Sequence, residues 1–184
     1  MKLKLSYIQI EEQFHNQGWI IENIEGFEIS ENERATIVEL IIQKLDSKET
    51  SIRYVASSMI AQFGVQEAKD KLIQRILDED TFNNNGTMSY ALWHLNCKDR
   101  LVEVFSILAT QSYESKCHAY NILCEQEFEF TRDDLEKMKQ ILKLVALNKT
   151  KNQIFDSETF EMIKDGYEGF KEYLTNNENP ADNK

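Results

Sequence analysis

Proline occurs once in this chain of 184 residues, at Pro180 near the C-terminus, and glycine occurs only six times. Sandwiches, barrels and glycine-rich phosphate loops all need more turn formers than that. A chain with so few breakers favours long helices joined by short polar turns, so the expected class is all-α.

A search for self-similarity reveals a repeat. Three segments carry an alanine followed four residues later by Ile or Leu: Ala56 and Ile60, Ala91 and Leu95, Ala119 and Leu123. Alanine lets two helix backbones approach closely, and the residue at i+4 extends the same seam. Each segment is followed by a second amphipathic stretch. After Gly64 these residues are Leu72, Ile73, Ile76 and Leu77. After Cys97 they are Leu101, Val102, Phe105 and Leu108, and after Phe130 they are Leu135, Met138, Ile141, Leu142 and Val145. Short connections make successive helices antiparallel hairpins, about four in all. Capping signals mark the breaks. Ser30 with Glu33 forms a capping-box pattern ahead of Ile37, Leu40, Ile41 and Leu45, and Thr131 precedes two acids, Asp133 and Asp134. Asn85-Gly86-Thr87 supplies a flexible break with a capping hydroxyl.

The ends are atypical, as a repeat stack requires to cover its terminal apolar faces. Residues 1–30 form an N-terminal cap. Within it KLSYIQIEEQF fits either a short helix or an alternating strand, and Trp19, Ile21, Ile24, Phe27 and Ile29 follow no clean period. Residues 31–147 hold the repeats. A helix over 157–175, capped by Ser157 and carrying Phe160, Ile163, Tyr167, Phe170 and Leu174, closes the other end. The expectation is one domain over 1–175, with 176–184 as a disordered tail.

The segment SIRYVASSMIAQFGVQEAKDKLIQRILDED resembles a HEAT-type repeat, with an early Arg, an Ala at the crossing, a terminal Gly and a Leu-Ile pair in the next helix. The next unit is more particular. Asn85-Gly86-Thr87, Tyr90-Ala91-Leu92, Leu95 and Cys97 resemble a motif of an all-helical family of immunity proteins from bacterial polymorphic-toxin systems, and Tyr113-Glu114 with Ala119 extends the likeness. The resemblance implies a short HEAT-like α-solenoid and a small cytoplasmic protein that neutralises a toxin by occluding its active site or substrate groove. It supplies no catalytic residues. A HEAT-type scaffold or adaptor that binds an endogenous protein is the alternative.

Lys and Arg number 21 against 32 Asp and Glu, a net charge of −11. That balance repels phosphate backbones and anionic lipid, so neither nucleic acid nor membrane is an expected partner, whereas a basic protein is. No apolar run is long enough to span a bilayer, and the start reaches Glu11 and Glu12 before any leader-like core, so a cytoplasmic location is expected. Cys97, Cys117 and Cys124 are read as buried small hydrophobes, in keeping with a reducing compartment. Adjacent residues on a helix point about 100° apart, so Cys117 with His118 makes a poor half of any zinc site with His94 and Cys97. No cofactor, metal or enzymatic activity is expected, since HExxH, GxSxG and GxGxxG are all missing.

Superposing the repeats on their alanines places Val55, Tyr90 and His118, and likewise Met59, His94 and Ile122, on the packed side. The opposite side then carries Met88, Leu92, Trp93 and Tyr120, an apolar and aromatic cluster of the kind that marks a partner site. Acidic residues at successive hairpin ends form a second candidate surface: Asp78, Glu79 and Asp80, then Glu125, Glu127 and Glu129, with Glu22, Glu25, Glu28, Glu31 and Glu33 before the first long helix.

Overall fold

The computed structural model describes residues 3–15, 27–152 and 157–178, with side chains through residue 147 and over 160–175. The described residues are mostly helical and fall into two compact units, Met1–Asn96 and Cys97–Lys184. The boundary passes inside the second predicted repeat, between its two helices. None of the described helices is long and apolar enough to cross a membrane.

In the first unit, β1 (Leu3–Leu5) pairs in parallel with β2 (Phe27–Ile29), Leu3 opposite Phe27 and Leu5 opposite Ile29. Period-two alternation buries Leu5 and Ile29. Between them α1 (Tyr7–His15) buries Ile10 and Phe14. The ambiguous segment KLSYIQIEEQF is therefore strand first and helix second. Its break is a capping box: the Gln9 side chain accepts the Ser6 N–H at 2.9 Å, and the Ser6 hydroxyl accepts the Gln9 N–H at 3.5 Å. Trp19, Ile21, Ile24, Glu22 and Glu25 lie outside the described residues.

The capping box expected at Ser30 and Glu33 does not form. Ser30 stays extended because its N–H donates to the Leu5 carbonyl at 3.0 Å, continuing the strand pairing, and a 3-10 turn over Glu31–Glu33 intervenes before α2 (Arg34–Lys44). The predicted apolar face of this helix is buried at Ile37, Leu40, Ile41 and Leu45. Next, α3 (Thr50–Phe63) ends where Gly64 adopts φ 60° and ψ 45°, a left-handed C-terminal cap that glycine adopts without strain. After α4 (Lys69–Leu77) and a 3-10 stretch over Glu79–Asn84 comes α5 (Gly86–Trp93). Asn85, not Thr87, occupies the position before α5, and its side chain donates to the Ile76 carbonyl at 3.1 Å instead of capping the helix. Both α3 and α4 pack on α5.

Arg53 is 5% exposed and ties the α2–α3 connection together. Its Nη1 donates to the carbonyls of Ser47 (2.8 Å) and Lys48 (3.1 Å), and its Nη2 to the Thr50 hydroxyl at 3.2 Å.

The second unit contains α6 (Leu101–Thr110), α7 (Tyr113–Glu125), α8 (Arg132–Asn152) and α9 (Ser157–Glu178). At its centre α6 packs against α7, α8 and α9, burying Leu101, Val104, Phe105, Ile107 and Leu108. The predicted cap of α8 is realised as a closed box, with Thr131 N–H donating to Asp134 Oδ2 at 2.9 Å and Asp134 N–H to the Thr131 hydroxyl at 3.3 Å. α9 extends through Glu178, so residues 176–178 are helical where a disordered tail was expected. The side chain of Ser157, its predicted cap, lies outside the described residues.

All three repeat alanines, Ala56, Ala91 and Ala119, are buried, as are Ile60, Leu95 and Leu123. Leu95 differs from its counterparts in backbone. It lies beyond the end of α5, in a turn closed by His94 N–H to the Ala91 carbonyl (3.1 Å) and Leu95 N–H to the Leu92 carbonyl (3.0 Å).

Candidate cleft of the C-terminal unit

α7 stops at Glu125 because Gln126 turns extended, with ψ 144°. Two hydrogen bonds then fasten the departing chain to the start of the same unit: the Gln126 side chain accepts the Cys97 N–H, and Glu129 N–H donates to the Lys98 carbonyl, both at 2.8 Å. Fastened at both ends, the irregular run Glu127-Phe128-Glu129-Phe130 alternates acid with aromatic. Phe128 and Phe130 meet Phe170 of α9 nearly at right angles, with centroids 5.7 and 5.4 Å away, and Phe130 also lies 6.0 Å from Tyr173. Edge-to-face pairing of this kind fixes ring orientation beyond what area burial supplies.

Between the end of α7, this irregular run and α9 lies a cleft of about 700 Å³. Its walls include the rings of Tyr120, Phe128, Phe130, Phe170 and Tyr173, and its carboxylates are Glu127, Glu129 and Asp165. The helix contributes little bulk where α9 carries Gly166 and Gly169. A methyl at Gly169 would meet nothing within 4 Å, so open space begins at the backbone there.

The charges of the cleft are unequal in their surroundings. Glu129 pairs with Lys98 at 2.8 Å, which holds the lysine's pKa above its ordinary value. Glu127 and Asp165 have no ion-pair or hydrogen-bond partner among the described residues. The Tyr120 hydroxyl titrates above its usual range, first through its contact with the Cys124 side chain, then through burial and the Asp165 carboxylate. The cleft thus joins aromatic surface to uncompensated negative charge.

Of the residues predicted for a partner surface, Tyr120, Glu127 and Glu129 line this cleft, and Glu125 is exposed at the end of α7 beside it. The predicted apolar cluster is not a surface. Met88 and Leu92, 1% and 0% exposed, belong to the core of the first unit, because α5 is only eight residues long and is packed on by α3 and α4 together. The same geometry corrects the opposite side. Tyr90 is 40% exposed and His94 is exposed just past the helix end; with half-buried Trp93 they form a ring group, Tyr90 and His94 having centroids 4.5 Å apart. Val55, Met59 and Ile122 are buried as expected, and His118 is half-buried.

Asp78 and Asp80 are not free carboxylates either. Arg75 reaches Asp78 at 2.7 Å and Asp80 at 3.3 Å, so the hairpin-end acids serve the local fold, with Glu79 exposed between them. Among the motif residues, Gly86 is buried and Thr87 half-buried. Cys97 is buried, but Cys117 is half-buried and Cys124 exposed at the cleft, against the expectation for all three.

Phe128, Phe130, Asp165 and Tyr173 were not among the candidates. Their signal was the two-residue alternation of acid and aromatic at 127–130, which interrupts the helical spacing on either side of it. The sequence matches no family model, no curated protein and no solved structure.

Proposed function

We propose that this protein is a cytoplasmic immunity protein that neutralises a basic toxin domain by covering its active site or substrate groove, and that its helices are HEAT-like repeats forming a short solenoid. The observation that carries the reading is the cleft: aromatic walls fixed by edge-to-face contacts, with Glu127 and Asp165 left uncompensated. Aromatic anchors are enriched among interface hot spots, and an acidic surface raises the encounter rate with a basic partner. The net charge of −11 extends that attraction beyond the cleft. Support for the repeat reading comes from the three buried alanines, and from the packing of α3 on α5 and of α6 on α7 and α8.

The test is to sequence the neighbouring genes and coexpress the protein with the C-terminal domain of any large secreted protein encoded there. Rescue of growth together with an equimolar complex on gel filtration supports the proposal. Growth arrest despite equal expression overturns it, and a stable complex with a housekeeping protein would favour the adaptor reading.

A further inference from the structure

We propose that the cleft receives an arginine side chain carried on an extended segment of the partner. The inference rests on the reading that the partner is a basic protein, and it specifies the chemistry by which that partner is held. Four properties of the cleft select this occupant. Its volume, about 700 Å³, lies in the range of ligand-sized pockets and has room for a long side chain together with flanking backbone. The rings of Phe128 and Phe130 stand at 85° and 86° to that of Phe170, so the aromatic lining offers π-faces in more than one direction. Those faces are the negative ends of the ring quadrupoles and attract cations.

Glu127 and Asp165, both exposed, stand on two different elements, the run after α7 and α9, and neither has a cationic partner among the described residues. A neutral apolar ligand would desolvate both without compensation, and an anion would be repelled. A hard divalent cation needs six or more oxygens, and the carboxylates here are set among rings. A lysine ammonium brings a compact and strongly hydrated charge. A guanidinium is planar, less hydrated and forked, so one face can lie on a phenyl ring while its N–H groups reach a carboxylate. Lys98 reinforces the selection, since it already neutralises Glu129 and leaves the other two carboxylates as the unmet demand.

The experiment uses the full chain and three blocked pentapeptides, Ala-Ala-Arg-Ala-Ala and its lysine and citrulline counterparts, titrated while the aromatic resonances of Phe170 and Tyr173 are followed by NMR. The arginine peptide is expected to give saturable shifts, with binding at least about threefold weaker for lysine and none for citrulline. Phe170→Leu keeps apolar bulk but removes the π-face, and Asp165→Asn removes one charge. Each should weaken the arginine peptide about threefold or more with circular dichroism unchanged. Glu127→Gln lies on an exposed position of the run after α7 and keeps the test valid if an α9 variant misfolds. Equal binding of citrulline, or well-folded variants that bind as the wild type does, would overturn the inference. Failure here is separable from failure of the proposed function: toxin rescue retained by Phe170→Leu, Asp165→Asn together overturns the arginine site alone. Arginine-peptide binding without any rescue by the wild type supports the site and removes the immunity role.

Discussion

Arg53→Met tests how a buried guanidinium holds the first unit together. Methionine keeps an apolar stem of similar length and removes only the charged head, so the change isolates three hydrogen bonds, to the Ser47 and Lys48 carbonyls and the Thr50 hydroxyl. Hydrogen bonds from a charged donor contribute roughly 1.5–3 kcal/mol each when their acceptors are otherwise left dry. Lys48 is exposed and Ser47 half-buried, so water replaces part of that loss, and the three together cost about as much as one dry bond, roughly 1.5–3 kcal/mol. Against this stands a gain. Arg53 has no ion pair among the described residues, its Nε has no acceptor, and its pKa is lowered first by burial and then by the charge of Arg75, with Asp80 opposing. With the terminal nitrogens satisfied, the relief on removing the head is confined mainly to one orphaned N–H, about 1 kcal/mol. The net expectation is a loss of about 0.5–2 kcal/mol in urea unfolding followed by circular dichroism, with an unchanged m-value. Arg53→Lys retains the charge near Arg75 but loses the fork, so it should be at least as unstable as Arg53→Met. Wild-type or higher stability for Arg53→Met would refute the reasoning, because burial and repulsion would then outweigh the three bonds.

Two further predictions follow from the packing and the helix caps. Leu92→Ala, at a fully buried position of α5, should cost about 3–5 kcal/mol in the same unfolding assay, whereas a loss below about 1 kcal/mol would return Leu92 to the surface. Thr131→Ala should cost about 1 kcal/mol at neutral pH by opening the capping box of α8. The same substitution alters the acid response. The Thr131 hydroxyl, then its backbone N–H and Lys137, hold the Asp134 carboxyl below its usual range, so its contribution is present above the unfolded carboxylate value near about pH 4 and is lost as pH falls through the lower folded value. Melts of wild type and variant between pH 6 and 2, as approximate limits, should therefore converge at the acid end; a gap that stays constant would contradict the assignment.

Helical periodicity was readable wherever a helix has one packed side. Ile37, Leu40 and Ile41 of α2, and Leu72, Ile73 and Ile76 of α4, recur at the spacing of a single stripe and are buried as that spacing requires. The rule fails for α5 because helices on two sides bury it, so Met88 and Leu92 enter the core along with Ala91, and superposing it on α3 transfers the wrong face. The strands β1 and β2 are three residues each, too short for alternation to be told from chance, and their pairing joins residues 24 positions apart. Ser6 and Gln9 did carry a capping box, but with Gln in place of Glu and a strand directly before it.

The cleft was partly visible, through Tyr120, Glu127 and Glu129, and hidden where one residue type serves two purposes. Phe170 recurs at the spacing of the α9 core face, and spacing cannot distinguish a ring that closes a core from one that walls an opening. What decides between them is the chain facing it. The run 126–130 would leave α9 free if it continued the helix of α7; instead it is pinned outside the helix by Cys97 N–H and the Lys98 carbonyl, contacts made about thirty residues away in sequence. Pinning also bears on binding. Carboxylates on an unrestrained loop lose conformational freedom when a partner orders them, a cost of roughly 0.5–1.5 kcal/mol for each rotamer-rich side chain and more for the backbone. A segment already fastened at Gln126 and Glu129, and fitted to Phe170 through its two phenylalanines, has met the backbone share of that cost during folding. An irregular stretch between two helices can on that ground present Glu127 as firmly as a helix presents Asp165, which is what a site shared between the two elements requires.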